Sequence, residues 1–173
     1  IFEGFGNNHA YVGNIGETFL FQTDLDAPNG RIVSVTLSDP AALTDVVAEG
    51  EDPITGADHV GGHLIVETMR DVASAVAIYT QGGEPVREVA LPGLGVASGF
   101  SGSPDSAETF YSFESLNQPA ALYRYDVETG ESTVFRAPEL TFEPADYVVT
   151  QTFYDSTGGA RIPLFVAHHR DID

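Results

Sequence analysis

Residues 96–103 (VASGFSGS) place two serines among glycines, as in turns that carry a nucleophilic serine. A nucleophile elbow needs glycine two residues before and two residues after the serine, between a strand and a helix. Neither Ser98 nor Ser101 has glycine at both positions, and no helical pattern follows. The residues therefore predict turn and strand roles for both serines, and they supply no candidate catalytic residue.

The histidines supply no candidate metal site. His59 and His63 have a spacing that would suit two metal ligands on a helix, but Gly61 and Gly62 put a turn between them and no third ligand is evident. His168 and His169 are adjacent in a strand-like segment, where neighbouring side chains point to opposite faces, so they cannot share a ligand. We interpret all four as surface, channel or strand residues.

Cofactor and glycosidase chemistry are equally unsupported. Gly93-Leu-Gly95 could open a dinucleotide fingerprint, but serine stands where the third glycine is required and no helix follows. Carboxylates are so frequent that two of them close together would not indicate glycosidase chemistry. Cysteine is absent, which excludes disulfides, thiolate metal sites and a cysteine nucleophile. We expect no cofactor.

The charge balance restricts the possible partners. Asp and Glu total 26, the 7 basic residues are all arginine, and the net charge is −19, which repels a phosphate backbone and argues against a nucleic-acid partner. No apolar run approaches the roughly 20 residues of a membrane span, so we expect no membrane partner either. Scattered acid without lysine is typical of a halophile's cytoplasm, where salt screens the repulsion. An ordinary acidic protein from a mesophile is the alternative.

Strand-like segments recur with a period of about 45 residues. The segments starting at Thr18, His63 and Glu108 are 45 residues apart both times, and those starting at Ile32, Val76 and Leu122 are 44 and 46 apart. Opening segments (9–12, 54–58 and 96–99) and closing segments (45–48, 87–90 and 132–136) complete each unit. Glycine-containing turns at 29–30, 81–84 and 128–131 separate the strands.

Four strands in every 45 residues are typical of a β-propeller blade. We therefore predict an all-β chain with a partial β-propeller over residues 1–139, in three four-stranded antiparallel blades at about 1–50, 51–94 and 95–139. Periodicity alone leaves a β-sandwich of short strands open. Three blades do not close a ring, which suggests a fragment, and the absence of a methionine at Ile1 suggests further sequence upstream.

The register breaks after Pro138. Residues 140–173 read as a linker followed by two strands, 146–154 and 161–167, joined by a turn at 155–159. Apolar residues fall on both faces of the second strand, which is typical of a strand that belongs in a larger sheet. We predict a hairpin separate from the blades.

The terminal segment resembles the point where the propeller of the prolyl oligopeptidase family of serine peptidases leads into its α/β-hydrolase domain. The residues that carry the resemblance are 153–156 (FYDS), 158–166 (GGARIPLFV) and His168, supported upstream by 25–31 (LDAPNGR), 99–102 (GFSG), 110–113 (FYSF), 123–126 (YRYD) and 146–147 (DY). The chain departs from the family pattern in its turn, which reads Thr-Gly-Gly in place of Lys-Asp-Gly, and in Leu164, which replaces a methionine.

The resemblance implies that this chain is a fragment of a two-domain peptidase that cleaves oligopeptides after proline. The fragment would comprise the substrate-gating propeller scaffold and the first hairpin of the hydrolase domain, and its partners would be the oligopeptide substrate and the missing α/β-hydrolase domain. In this family the catalytic Ser, Asp and His all follow the strand that contains Pro163, so we expect the chain alone to be inactive. The alternative is a stand-alone acidic β-propeller binding module.

Overall fold

The computed structural model of the chain describes residue 2 and residues 6–172. The described residues leave out residues 1, 3–5 and 173. The predicted segments 1–50 and 140–173 are therefore described only in part. Regular structure in the described part is β-sheet, together with a single 3-10 turn at Pro144–Asp146. No helix found there is long and apolar enough to cross a membrane.

Three four-stranded sheets and one two-stranded sheet follow one another along the chain. Sheet 1 contains β1 (His9–Ile15), β2 (Thr18–Thr23), β3 (Arg31–Thr36) and β4 (Asp39–Val47). Sheet 2 contains β5 (Ile54–Val60), β6 (His63–Arg70), β7 (Ala73–Thr80) and β8 (Pro85–Glu88). Sheet 3 contains β9 (Val96–Ser98), β10 (Glu108–Ser115), β11 (Gln118–Asp126) and β12 (Ser132–Arg136). The hairpin contains β13 (Tyr147–Asp155) and β14 (Arg161–His169).

Each four-stranded sheet is an antiparallel meander in which sequence neighbours pair. Glycine-containing turns allow the tight reversals that this topology needs. In the turn between β7 and β8, Gly83 has φ of 85° and its N–H donates to the Thr80 carbonyl at 2.9 Å. The turn predicted at 81–84 is confirmed, and so is the one at 128–131, where the Gly130 N–H donates to the Asp126 carbonyl at 2.8 Å.

Sheet 2 lies between the other two large sheets, and both of its faces are buried. Leu64 and Val66 on β6 pack with Leu20 and Ile32 of sheet 1. The intervening Ile65 belongs to a second cluster, which sheet 2 forms with aromatic side chains of sheet 3 (Tyr111, Phe113, Tyr123 and Tyr125). A strand covered on both faces needs a continuous apolar run rather than an alternating one, which explains the sequence Leu-Ile-Val at 64–66.

The three four-stranded sheets pack face to face in sequence order, and this arrangement is a partial β-propeller. The predicted all-β fold class is confirmed. The β-sandwich alternative does not describe this arrangement, because sheet 2 contributes one face to each of two separate cores. The hairpin forms its own sheet, with β13 paired only with β14 among the described strands. The hairpin is thus a sheet of its own, as the break in register predicts, but it does not stand apart from the blades, because side-chain hydrogen bonds connect it to turns of sheets 2 and 3.

Candidate functional site

Neither of the two serine side chains makes a hydrogen bond to a histidine or a carboxylate within the described residues. Ser98 ends β9 and is exposed. Ser101 lies in the following loop, where its N–H donates to the Gly99 carbonyl at 2.7 Å and its carbonyl accepts a hydrogen bond from Thr109 Oγ1 at 2.9 Å. The loop leads into β10 and not into a helix, so it lacks the geometry of a nucleophile elbow.

His59 packs between sheets and is 7% exposed. A side chain at Gly13 on β1 would overlap the His59 ring, so glycine there permits the close approach of β1 to β5. The Gln81 amide donates to His59 Nε2 at 3.0 Å, which requires that nitrogen to be unprotonated. Burial lowers the pKa of His59, and the negative charge of Asp105 opposes this shift only in part. His59 is therefore a neutral packing residue.

The remaining candidates also make local contacts. His63 Nδ1 lies 2.9 Å from the Gly61 carbonyl, and His168 Nδ1 lies 2.9 Å from the His169 carbonyl. His169 lies 3.5 Å from the Asp171 carboxylate. In residues 2 and 6–172 there is no group of three or more His, Cys, Asp or Glu side chains that could hold a metal ion.

The Gly93–Gly95 segment is a connector between sheets 2 and 3. The Gly95 carbonyl accepts a hydrogen bond from the Ser74 N–H at 2.9 Å, and the Leu94 carbonyl accepts one from Ser115 Oγ at 2.6 Å. A side chain at Gly95 would overlap the Glu114 carbonyl oxygen, whereas nothing lies near Gly93. The glycine at 95 serves close backbone packing.

Asp58 and Glu67 form an acidic pair that the sequence did not single out. Asp58 pairs with Ile65, and Gly56 pairs with Glu67, so both carboxylates lie on the face of sheet 2 that also carries Ile65. Because Gly56 has no side chain, the Glu67 carboxyl group lies against its backbone. Neither carboxylate has a side-chain hydrogen bond or a salt bridge to the described residues.

Burial explains the unusual ionisation of this pair. It raises the pKa of Asp58. Burial together with the nearby charge of Asp58 raises the pKa of Glu67 to about 7. At neutral pH Glu67 is therefore about half protonated, which makes the pair a place for proton exchange. The sequence signal that could have identified this pair is the presence of two carboxylates in otherwise apolar strands, at positions that share a face with the core residue Ile65.

The pair lies towards the inner edge of the array. The first strands β1 and β5 contact each other, whereas the last strands β4, β8 and β12 are largely exposed along their lengths. In a propeller, the edge where first strands converge lines the central channel. The candidate functional groups of this chain are thus Asp58 and Glu67, which lie on the first two strands of sheet 2, on the face that packs against sheet 3.

Most arginines make local contacts. Arg31 lies 2.9 Å from Asp45, and Arg70 lies 2.7 Å from Asp52. Arg124 pairs with Glu108 at 2.5 Å. The Arg161 guanidinium lies 3.7 Å above the Phe153 ring. Because these cations are already engaged, they leave little positive charge with which to bind an anionic ligand.

Comparisons with known proteins identify relatives that have this architecture. The family described as "Prolyl oligopeptidase, N-terminal beta-propeller domain" matches residues 1–138. The prolyl endopeptidase of Elizabethkingia meningoseptica is 37% identical over 177 aligned residues, which cover 99% of this chain and 24% of that protein. The prolyl endopeptidase of Elizabethkingia miricola is 34% identical with the same coverage. The chain thus spans about a quarter of the length of the curated relatives it matches.

Solved structures agree with the fold. A chain from a structural analysis of two prolyl endopeptidases superposes with a TM-score of 0.87 at 33% identity, covering 99% of this chain and 26% of that one. Prolyl oligopeptidase B from Galerina marginata superposes with a TM-score of 0.89 over 99% of this chain and 25% of that chain. At 22% identity, the second match supports the fold alone.

Proposed function

Because this chain belongs to the prolyl oligopeptidase family, we propose that it is the substrate-gating part of a serine endopeptidase that cleaves oligopeptides after proline. The observation that carries the proposal is the continuous similarity to prolyl endopeptidases over 99% of the chain. The 173 residues supply no nucleophile with a base, so the chemistry is assigned to the catalytic domain that the relatives possess. A stand-alone binding module is not favoured by these matches.

We propose the domain boundary near residue 139 on two grounds. The propeller family matches up to residue 138, and the strands beyond it form a separate two-stranded sheet. On this proposal, residues 1–139 are three blades at about 1–50, 51–94 and 95–139, and residues 140–173 are a linker and the first hairpin of the hydrolase domain. Limited proteolysis that cuts within sheet 3 before it cuts at 137–146 would contradict the boundary.

An activity assay tests the peptidase proposal. The product of the whole coding region that contains this chain should hydrolyse a chromogenic Gly-Pro substrate and lose that activity with a serine-directed inhibitor. The 173-residue chain should be inactive in the same assay. Inhibitor-sensitive turnover by the 173-residue chain, or none by the whole product, would overturn the assignment.

The gating role has its own test. A ring of blades over a catalytic site excludes large substrates by size, so the whole product should cleave short proline-containing peptides and leave the same sequence intact within a folded protein. A variant that begins at the hydrolase domain and keeps its activity should lose this discrimination. Equal cleavage of both substrates by the whole product would show that the propeller does not gate.

We further propose that the protein works in a salt-rich cytoplasm. None of the Asp and Glu side chains in the described part is buried, and most are exposed. Together with the net charge of −19 and the absence of lysine, this distribution supports adaptation to high salt. Fractionation of the source cells, with detection of the protein in the membrane or extracellular fraction, would contradict the cytoplasmic location.

A further inference from the structure

Two short turns at one end of sheets 2 and 3 lie against the hairpin. The turn between β6 and β7 is Asp71–Val72, and the turn between β10 and β11 is Leu116–Asn117. They occupy equivalent positions in the repeat, one after the second strand of each sheet. We call them the turn pair. The corresponding connection in sheet 1 is the longer loop 24–30, in which Asn29 bonds to Glu49 and to the carbonyls of Gly50 and Glu51 instead.

Val72 has a backbone conformation that its side chain disfavours. Its φ is 69°, and that of the preceding Asp71 is 49°, so both residues of this turn are left-handed. Asn and Asp tolerate this region, whereas a β-branched residue there is a rare outlier that persists only where its surroundings determine it. The Val72 side chain is 60% exposed, so burial in the core of its own sheet does not explain its retention.

Val72 lines an open apolar cavity of about 420 Å³. The cavity is lined mainly by side chains of the turn pair, of the connector between sheets 2 and 3, and of the hairpin, namely Val72, Leu94, Val96, Leu116 and Phe165. Thus each turn contributes one apolar residue, and the hairpin contributes an aromatic ring. Four separate segments of the chain meet at this cavity.

Polar contacts hold the hairpin in the same place. Gln151 and Phe165 are directly opposite each other on β13 and β14, so their side chains share one face of the hairpin. Gln151 Nε2 donates to the Asp71 carbonyl at 2.6 Å. Asn117 Nδ2 donates to the carbonyls of Pro144 at 3.2 Å and Tyr147 at 3.4 Å. Each turn therefore has an apolar side chain at the cavity and takes part in a hydrogen bond with the hairpin segment.

The burial of β13 alternates accordingly. Gln151 and Phe153 are half-buried, whereas Thr150 and Thr152 are exposed. A two-stranded hairpin on its own is marginal in water, so a covered face is what stabilises it.

We propose that the turn pair is a docking surface for the hairpin, and that the left-handed Val72 is retained because it places an apolar side chain at the cavity that Phe165 also lines. This surface fixes the hairpin to sheets 2 and 3 while leaving sheet 1 free of it. Any domain built onto the hairpin is then coupled to two of the three sheets. The inference concerns the chain's own packing and does not rest on peptidase activity, so the two can fail separately.

The test uses the absence of tryptophan from the chain. Phe165→Trp introduces a single tryptophan at the cavity, which can be excited selectively over the seven tyrosines. Val72→Asn or Leu116→Asn in that background removes one apolar side chain of the turn pair. Leu37→Asn is the matched control, since Leu37 is 59% exposed in the β3–β4 turn of sheet 1, away from the hairpin. We expect a red-shifted emission and about tenfold faster amide exchange over residues 147–169 for the two turn variants only.

Exchange in β6, β7 and β10 reports whether a variant is folded. If a turn variant also loses protection in those strands, the variant Gln151→Ala tests the proposal in its place. It removes only the hydrogen bond from the hairpin to the Asp71 carbonyl. Two results would overturn the proposal. The first is that the turn variants show the same tryptophan emission and amide exchange as Leu37→Asn. The second is that Gln151→Ala leaves amide exchange in the hairpin unchanged.

Val72→Gly gives a second, independent readout. Glycine adopts the left-handed conformation freely, so this substitution should slow exchange in β6 and β7 while it speeds exchange in the hairpin. If Val72 had only a local role, the substitution would change the amide exchange rates of both regions in the same direction. Slower exchange in both regions would overturn the docking role.

Discussion

At the scale of single residues, Glu67 has the largest resolved change in ionisation. Burial and the charge of Asp58 raise its pKa to about 7 in the folded chain, from an ordinary value near 4.5. Between these two values the unfolded chain releases the proton of Glu67 while the folded chain keeps it. The stabilising contribution of this group is therefore complete below about pH 4.5, falls as the pH rises, and is lost above about pH 7.

Glu67→Gln should remove this dependence. Glutamine keeps the shape of the protonated acid, so we expect little change in the free energy of unfolding near pH 4 and a gain of about 1 kcal/mol near pH 8, allowing for solvent screening of a partly exposed group. Urea unfolding at several pH values measures the difference between variant and parent. Glu17→Gln, at an exposed turn position, is the control. A gain that is the same at both pH values would contradict the predicted pKa effect.

At the scale of elements, the connector between sheets 2 and 3 depends on one close backbone approach. A β-carbon at Gly95 would overlap the Glu114 carbonyl oxygen and the Phe113 ring, so Gly95→Ala must push the connector away from β10. We expect a loss of about 1–3 kcal/mol in the free energy of unfolding, as for other overpacked sites.

Gly93→Ala provides a matched control in the same connector. No atom lies within 4 Å of a β-carbon at Gly93, so this substitution should leave stability unchanged or slightly increase it. Thermal or urea unfolding of the two variants compares them directly. Equal stability of Gly95→Ala and Gly93→Ala would show that the connector can move without cost.

The repeat also identifies the outward faces of the array. Leu20 and Ile32 in sheet 1 are buried against sheet 2, and the residues 90 positions later are Phe110 and Leu122. In sheet 3 the equivalent face has no sheet beside it among the described residues; Leu122 is 42% exposed, and Phe135, which stacks edge-on against Phe110, is 61% exposed. The same positions are thus core inside the array and surface at its end.

At the scale of the whole molecule, this exposed face should make the isolated chain associate. Contiguous apolar surface of this kind is rarely left open in a soluble monomer. We expect a concentration-dependent rise in the mass of the 173-residue chain, measured by sedimentation, and a shift towards the monomer in Phe135→Ser. Leu37→Ser, at a comparably exposed turn leucine, should not change the association. A monomer at all concentrations would contradict the prediction.

The net charge of −19 should make stability depend on salt. Raising KCl from about 0.1 to 2 M shortens the Debye length from about 10 Å to below 3 Å and screens the mutual repulsion of the carboxylates. We expect the melting temperature to rise over this range at neutral pH. The rise should be smaller near pH 4, where many carboxylates are protonated. A melting temperature that is unchanged or lowered by salt at neutral pH would argue against a salt-adapted protein.

The local features of the fold could be predicted from the sequence. The 45-residue period located every strand of the three large sheets, and the glycine turns at 81–84 and 128–131 marked the reversals, because strand alternation and turn geometry depend on residues close together in the chain. The run of apolar residues at 64–66 was not singled out in the sequence, although such a run is typical of a strand covered on both faces. The family resemblance followed from short segments whose order is a property of the sequence.

Features that depend on residues far apart in the chain could be identified only from the tertiary structure. The raised pKa of Glu67 needs a glycine and an aspartate on the neighbouring strand and a sheet that restricts water, so a carboxylate count could not reveal it. The turn at Asp71–Val72 contains no glycine although both residues are left-handed, as a two-residue hairpin loop requires. The cavity that Val72 lines is shared with Phe165, more than 90 positions later in the chain. Pattern identifies which residues form a strand, whereas the environment of a side chain is set by the surfaces that folding brings against it.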